Sequence, residues 1–133
     1  MIQIPTLYFD GGSRGNPGKA AGAAVLTMPD GNSYTITCFL PSATCNQAEY
    51  TGLIIGLEKA KELGVTSLDV KGDSQLVINQ MKGQWKIKSE NIETLAAKAK
   101  GLLKGFSKVN LQWVARAENK LADAAANKCM DAN

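Results

Sequence analysis

The chain of 133 residues contains no histidine and only three cysteines, Cys38, Cys45 and Cys129, with no CxxC pair among them. That combination argues against a zinc site. The odd cysteine count and the absence of a signal-like N-terminal stretch point to a reducing, cytoplasmic setting. No apolar run approaches bilayer-spanning length, so a soluble chain without a membrane partner is expected. Repeats, low-complexity runs and linkers are also missing, and the length suits one domain with a real core, so residues 1–133 read as a single domain. The cysteines read as small hydrophobes, and a Cys38–Cys129 disulfide stays open.

What the chain does have is an apolar strand, Ile4–Phe9, running straight into Asp10-Gly11-Gly12-Ser13-Arg14-Gly15-Asn16-Pro17-Gly18. A carboxylate at a strand end, followed by glycines, can hold a metal while backbone comes close to a bulky substrate. An Asp-Gly turn is the plainer alternative. Further acids give the first reading its weight. In the amphipathic segment Asn46–Gly64, taken at about 100° per residue, Glu49 falls on the face of Gly52, Leu53, Gly56, Leu57, Ala60 and Leu63. A carboxylate on a core-facing stripe must be paired, neutralised or bound to a metal, although the nearby helix N-terminus also favours it. Asp73 follows the strand Ser67–Lys71 across Gly72, as a ligand or as the N-cap of the helix Ser74–Met81. Asp123 lies in the first turn of a final helix that begins at Lys120 behind Asn119, a natural N-cap. If the strands are neighbours, four carboxylates converge, and they cannot share a site at neutral pH without cations.

The remaining elements read as strands Gly22–Met28 and Ser33–Phe39 around the turn Pro29–Asn32, a helix from Ser89 to Lys104 and a strand Asn110–Val114. The tail after Asp131 reads as frayed. An antiparallel meander followed by alternating strands and helices implies a mixed sheet with helices on its faces. The formal charge is only +3, from 15 Lys+Arg against 12 Asp+Glu. Setting aside Asp10, Glu49, Asp73 and Asp123 leaves 15 basic against 8 acidic residues, a cationic surface outside the site. Lys82-Gly83-Gln84-Trp85-Lys86-Ile87-Lys88 interleaves three cations with an indole, which suits a groove tracking a nucleic-acid backbone; a tryptophan packed in the core is the alternative.

The order, spacing and flanks of these acids closely resemble type 1 ribonuclease H, through Asp10-Gly11-Gly12-Ser13 with Asn16, Asn46-Gln47-Ala48-Glu49-Tyr50, Gly72-Asp73-Ser74-Gln75 and Asn119-Lys120-Leu121-Ala122-Asp123. The likeness covers nearly the whole chain. It implies the α/β ribonuclease H-like fold, a five-stranded mixed sheet with its first three strands antiparallel, flanked by helices. It also implies hydrolysis of the RNA strand of an RNA–DNA hybrid, leaving 5′-phosphate and 3′-hydroxyl ends. Asp10, Glu49, Asp73 and Asp123 would be catalytic and would bind two Mg²⁺ ions, replaceable by Mn²⁺, with no other cofactor and a monomer as the working form. Substrate contacts are implied at Gly11, Gly12, Ser13, Asn16, Asn46 and Gln75, where the 2′-hydroxyl is read, and at Trp85, Lys86 and Lys88. Thr44 matches a position that holds a phosphate of the DNA strand, or caps the Glu49 helix.

Three departures stand out. Many relatives carry asparagine where this chain has Cys45. The best-known bacterial members have a longer basic protrusion where only a short connection follows Met81, which implies weaker substrate affinity. Many members also carry a loop histidine between Val114 and Asp123, where this chain offers Arg116, Glu118 and Asn119 as candidate auxiliary groups or plain surface charges. Two rival readings remain: a non-catalytic hybrid-binding module, which should lack at least one metal-binding acid, and a resolvase-like nuclease of the same superfamily, which should need additional assembly surfaces.

Overall fold

A computed structural model describes residues 4–133. Strands β1 (Thr6–Arg14), β2 (Gly18–Thr27) and β3 (Ser33–Ala43) form an antiparallel meander, followed by helix α1 (Cys45–Glu62) and strand β4 (Ser67–Gly72). Helices α2 (Gln75–Met81) and α3 (Glu90–Leu103), strand β5 (Lys108–Trp113), a 3-10 turn (Arg116–Glu118) and helix α4 (Lys120–Asp131) complete the chain. The five strands lie in the order β3-β2-β1-β4-β5, with β4 parallel to both β1 and β5. The expected α/β architecture is therefore the one observed.

The largest difference from the sequence reading is in β1. The strand does not stop at Phe9: Asp10 to Arg14 pair on with Ala23 to Lys19 of β2. Likewise β2 starts at Gly18 rather than Gly22, and β3 runs to Ala43 rather than Phe39. The glycines that suggested a loop are there for contact instead. A Cβ on Gly11 would lie 2.2 Å from the backbone carbon of Ala48, and one on Gly12 would lie 3.3 Å from the Met130 methyl. These neighbours thus face opposite sides of the sheet, one against α1 and one against α4. The predicted turn is present, with Met28 N–H donating to the Asn32 carbonyl at 2.8 Å and Asn32 N–H to the Asp30 carboxylate at 2.9 Å.

Helix α1 packs on β1 and β2 and is covered in turn by α3. Its buried set contains the predicted stripe except Leu63, and adds Ala48, Tyr50 and Ile54, because the helix is enclosed on two sides. Leu7, Phe9, Leu26, Leu53, Leu57, Leu68 and Val70 are at most 1% exposed and form the centre of the core. Gly52 and Gly56 let the helix sit directly on the sheet: a Cβ on Gly52 would be 2.3 Å from the Asp10 carbonyl oxygen, and one on Gly56 would be 2.6 Å from the Leu7 side chain. Helix α4 covers the other face through Ala122, Ala126 and Met130, one residue per turn. No helix among the described residues is long and apolar enough to cross a membrane.

Candidate functional site

The site lies where the sheet forks. Phe9 pairs with Gly72 in the last rung between β1 and β4; beyond it β1 stays with β2 while β4 ends. The first residue past the fork on each side is an acid, Asp10 on one and Asp73 on the other. Glu49, in the first turns of α1, reaches the same point because the glycine contacts bring its helix against the strand. Carboxylate oxygens of Asp10, Glu49 and Asp73 all lie within 4.8 Å of one another. Asp123 lines the same cavity of about 450 Å³ but stands outside that cluster, with its Oδ1 3.6 Å from Arg116 Nη2. Three of the four predicted acids are therefore brought together, and the fourth lines the same cavity outside their cluster.

Burial dominates the electrostatics. Asp10 is 5% exposed, and desolvation pushes its pKa up to about 6; a hydrogen bond with Glu49 works against this, and the charge of Asp73 adds to it. Glu49 is driven up much further, first by burial and then by Asp10. Its Oε2 is buried with no hydrogen-bond partner. A buried carboxylate oxygen left without a donor, facing two more acids, is a group that gains most from a cation. The all-oxygen donor set suits a hard divalent metal.

Asp73 does not cap α2. Ser74 does, its hydroxyl accepting from Val77 N–H at 3.2 Å, so the Asp73 carboxylate remains free for the cluster. Its carbonyl accepts from the indole N–H of Trp113 at 3.1 Å, a support that the sequence did not suggest. Thr44 caps α1 in a reciprocal box with Gln47, so the capping alternative is realised. Asn16, at a positive φ of 33°, accepts through Oδ1 from Cys45 N–H at 2.9 Å, tying the Gly15–Asn16 corner to the start of α1. Ser13 donates to the Ala43 carbonyl and holds the same corner. All three cysteines are free, and Cys45 is exposed on the cavity wall.

Asn119 is at the N-cap position of α4, but its side chain does not cap. It is 1% exposed and donates through Nδ2 to the Phe9 carbonyl at 2.8 Å. That contact ties the start of α4 to the last residue before the fork. Arg116 and Glu118 are exposed, and Arg116 pairs with Asp123. Trp85 is 46% exposed, so the core alternative fails. With Lys86, Lys88 and Asn46 it lines a second cavity of about 540 Å³, next to the first around the start of α1. Gln75 is exposed in the first turn of α2 and lines neither cavity.

The reverse transcriptase-like family matches residues 8–129. The bifunctional protein Rv2228c of Mycobacterium tuberculosis is 45% identical over 125 residues, which are 92% of this chain and 34% of that protein. Ribonuclease HI of Halobacterium salinarum is 42% identical over 93% of this chain and 63% of its own length. The chain thus spans about a third of the first relative and under two thirds of the second. The solved ribonuclease H1 from Halobacterium salinarum superposes with a TM-score of 0.93 at 40% identity, covering 98% of this chain and all of that one. LC11-RNase H1, solved in complex with an RNA/DNA hybrid, superposes with a TM-score of 0.88 at 30% identity, over 96% of each chain. On the fold, the fork with its acids and this likeness, the chain belongs to the ribonuclease H family.

Proposed function

We propose that the chain is a divalent-metal-dependent endoribonuclease that hydrolyses the RNA strand of RNA–DNA hybrids and leaves 5′-phosphate and 3′-hydroxyl ends. The observation that carries this reading is the convergence of Asp10, Glu49 and Asp73 at the fork, with a buried Glu49 oxygen that has no donor. Asp10, Glu49 and Asp73, with Asp123 from the same cavity, would hold two Mg²⁺ ions, and Mn²⁺ is expected to substitute. Bound there, the metals would supply an activated water and charge neutralisation at the scissile phosphate, so no protein nucleophile is needed.

The protein's own part is positioning. Burial keeps Asp10 and Glu49 short of water, and the glycine contacts fix Glu49 against Asp10. Arg116, 80% exposed beside Asp123, would be the cation within reach of a phosphate at this side of the site. Recognition of the 2′-hydroxyl falls to the Gly11–Ser13 edge, Asn16, Asn46 and Gln75. Asn16 enters through its amide N–H groups, because its Oδ1 already accepts from Cys45. The Trp85 groove receives the DNA strand, with Lys86 and Lys88 near its phosphates. The single-domain unit works as a monomer in the cytoplasm. LC11-RNase H1, with its bound hybrid, supports the substrate class.

Labelled hybrid, duplex RNA and duplex DNA incubated with and without Mg²⁺ test the reading. Cleavage of the hybrid's RNA strand alone, and only with metal, is expected. Equal cutting of duplex DNA would favour the resolvase-like alternative.

A further inference from the structure

We infer that the buried Tyr50–Gln80 pair is a positioning device that holds the connection 82–89 in its groove-forming shape, and so sets substrate affinity without touching the reacting centre. This rests on the hybrid-cleaving reading above. Tyr50 directly follows Glu49 on α1 and is fully buried. Its hydroxyl donates to Gln80 Oε1 at 2.6 Å, and Gln80 Nε2 donates to the Lys86 carbonyl at 3.2 Å. Gln80 is only 4% exposed. One amide in the core therefore bridges the helix that carries Glu49 and the connection that carries Trp85 and Lys86.

The chemistry fixes the direction of the bridge. A backbone carbonyl only accepts, so the amide nitrogen must face Lys86, which leaves the amide oxygen for a donor. Tyr50 supplies it through its buried hydroxyl. A leucine at position 80 would fill the space without the cost of burying an amide, so the polar group is tolerated there because both its ends are used.

The connection has little else to hold it. Gln84 and Trp85 N–H groups donate to the Asn79 carbonyl at 2.9 and 3.3 Å, close to the end of α2. Past them, among the described residues, the only hydrogen bond to the backbone of Lys86, Ile87 or Lys88 is the one from Gln80, beside the packing of Ile87 on the core. Without it, Lys86 and Lys88 sit on a segment free to spread, and ordering that segment falls on the substrate.

The test uses Tyr50→Phe, Gln80→Met and the double variant in the whole chain. Cleavage of labelled hybrid in Mg²⁺ is followed as KM and kcat, and amide exchange at residues 82–88 is followed without substrate. Each single variant should raise KM by about fivefold to tenfold, the scale of one net hydrogen bond, and change kcat by less than about twofold. Exchange at Lys86–Lys88 should quicken. Removing both polar partners should restore thermal stability toward wild type, yet KM should stay raised because the Lys86 carbonyl remains unheld. A double variant whose KM returns with its stability would overturn the inference, as would unchanged exchange in all three. If wild type itself fails to cut hybrid, the proposed function falls, and the exchange result still decides whether the pair holds the connection.

Discussion

Helix α1 lends residues to both of two adjoining cavities, Cys45 and Glu49 to one and Asn46 to the other, and the two are built on opposite plans. Around Glu49 backbone presses on backbone: Gly11, Gly22 and Gly52 have no room for a Cβ. Around Trp85 the chain is open, and a Cβ on Gly83 would meet nothing within 4 Å. The acid site gains its character from the burial of Asp10 and Glu49; the groove gains its character from what is exposed, an indole and two lysines. On the proposed function, chemistry that depends on close charges falls where the fold is crowded, and binding falls where surface can adapt.

Breaking the crowded side should have the largest effect. Gly52→Val would set a branched side chain against the Asp10 and Ala23 carbonyls, at positions where even a Cβ would stand 2.3 and 2.8 Å away. Displacing α1 should cost about 3 kcal/mol or more in denaturant unfolding and abolish hybrid cleavage, because Glu49 moves with the helix.

The next effect is a pH dependence. Asp10 binds its proton more tightly folded, with a pKa of about 6 against an ordinary 3.8. Its native protonation therefore stabilises below the ordinary value, and this contribution is lost as pH rises through about 6. The linkage amounts to about 2 kcal/mol between pH 4 and 7. In EDTA, wild type should lose that much more stability over this window than Asp10→Asn, read from urea midpoints. Saturating Mg²⁺ should remove the difference in slope.

On the open side, Trp85→Ala should leave the fold intact and raise KM about tenfold, the lower part of the range for one base–aromatic contact. The saturated rate should hold. Neutralising Lys86 and Lys88 should flatten the salt dependence of hybrid binding by filter assay. An unchanged affinity would make the groove a bystander.

Smallest is Gly101→Ala, in α3, where a Cβ would meet nothing within 4 Å. It should stabilise the chain by about 0.5–1 kcal/mol in the same unfolding assay and leave cleavage unchanged. Set beside Gly52→Val, it separates glycines kept for contact from one that is not.

The same contrast governs what the sequence made legible. The stripe Glu49–Gly52–Gly56 announced a helix pressed on a sheet, and β4, α1 and α4 fell close to their expected bounds. Asp10–Arg14 was misread as a loop because glycine and polar residues look the same in a turn and in a strand crossed by a helix backbone. Asn119 read as a cap because local spacing shows the helix start, whereas its partner, the Phe9 carbonyl, is 110 residues away. The supports from Trp113 to Asp73 and from Gln80 to Lys86 join separate elements and leave no periodic trace. Asp73 read equally as ligand and as cap of α2, and only the fold shows Ser74 capping the helix while the Asp73 carboxylate joins the fork.

In the proposed function the acids at the fork form a metal-dependent catalytic centre for hybrid hydrolysis. The most direct measurement compares wild type and Asp10→Asn on one labelled RNA–DNA hybrid, with and without Mg²⁺, after both have been shown to fold and to bind the hybrid. The account predicts cleavage of the RNA strand by wild type only when Mg²⁺ is present, and no cleavage by a variant at least as stable as wild type at neutral pH without metal. A folded Asp10→Asn protein that cuts the hybrid at the wild-type rate would contradict it.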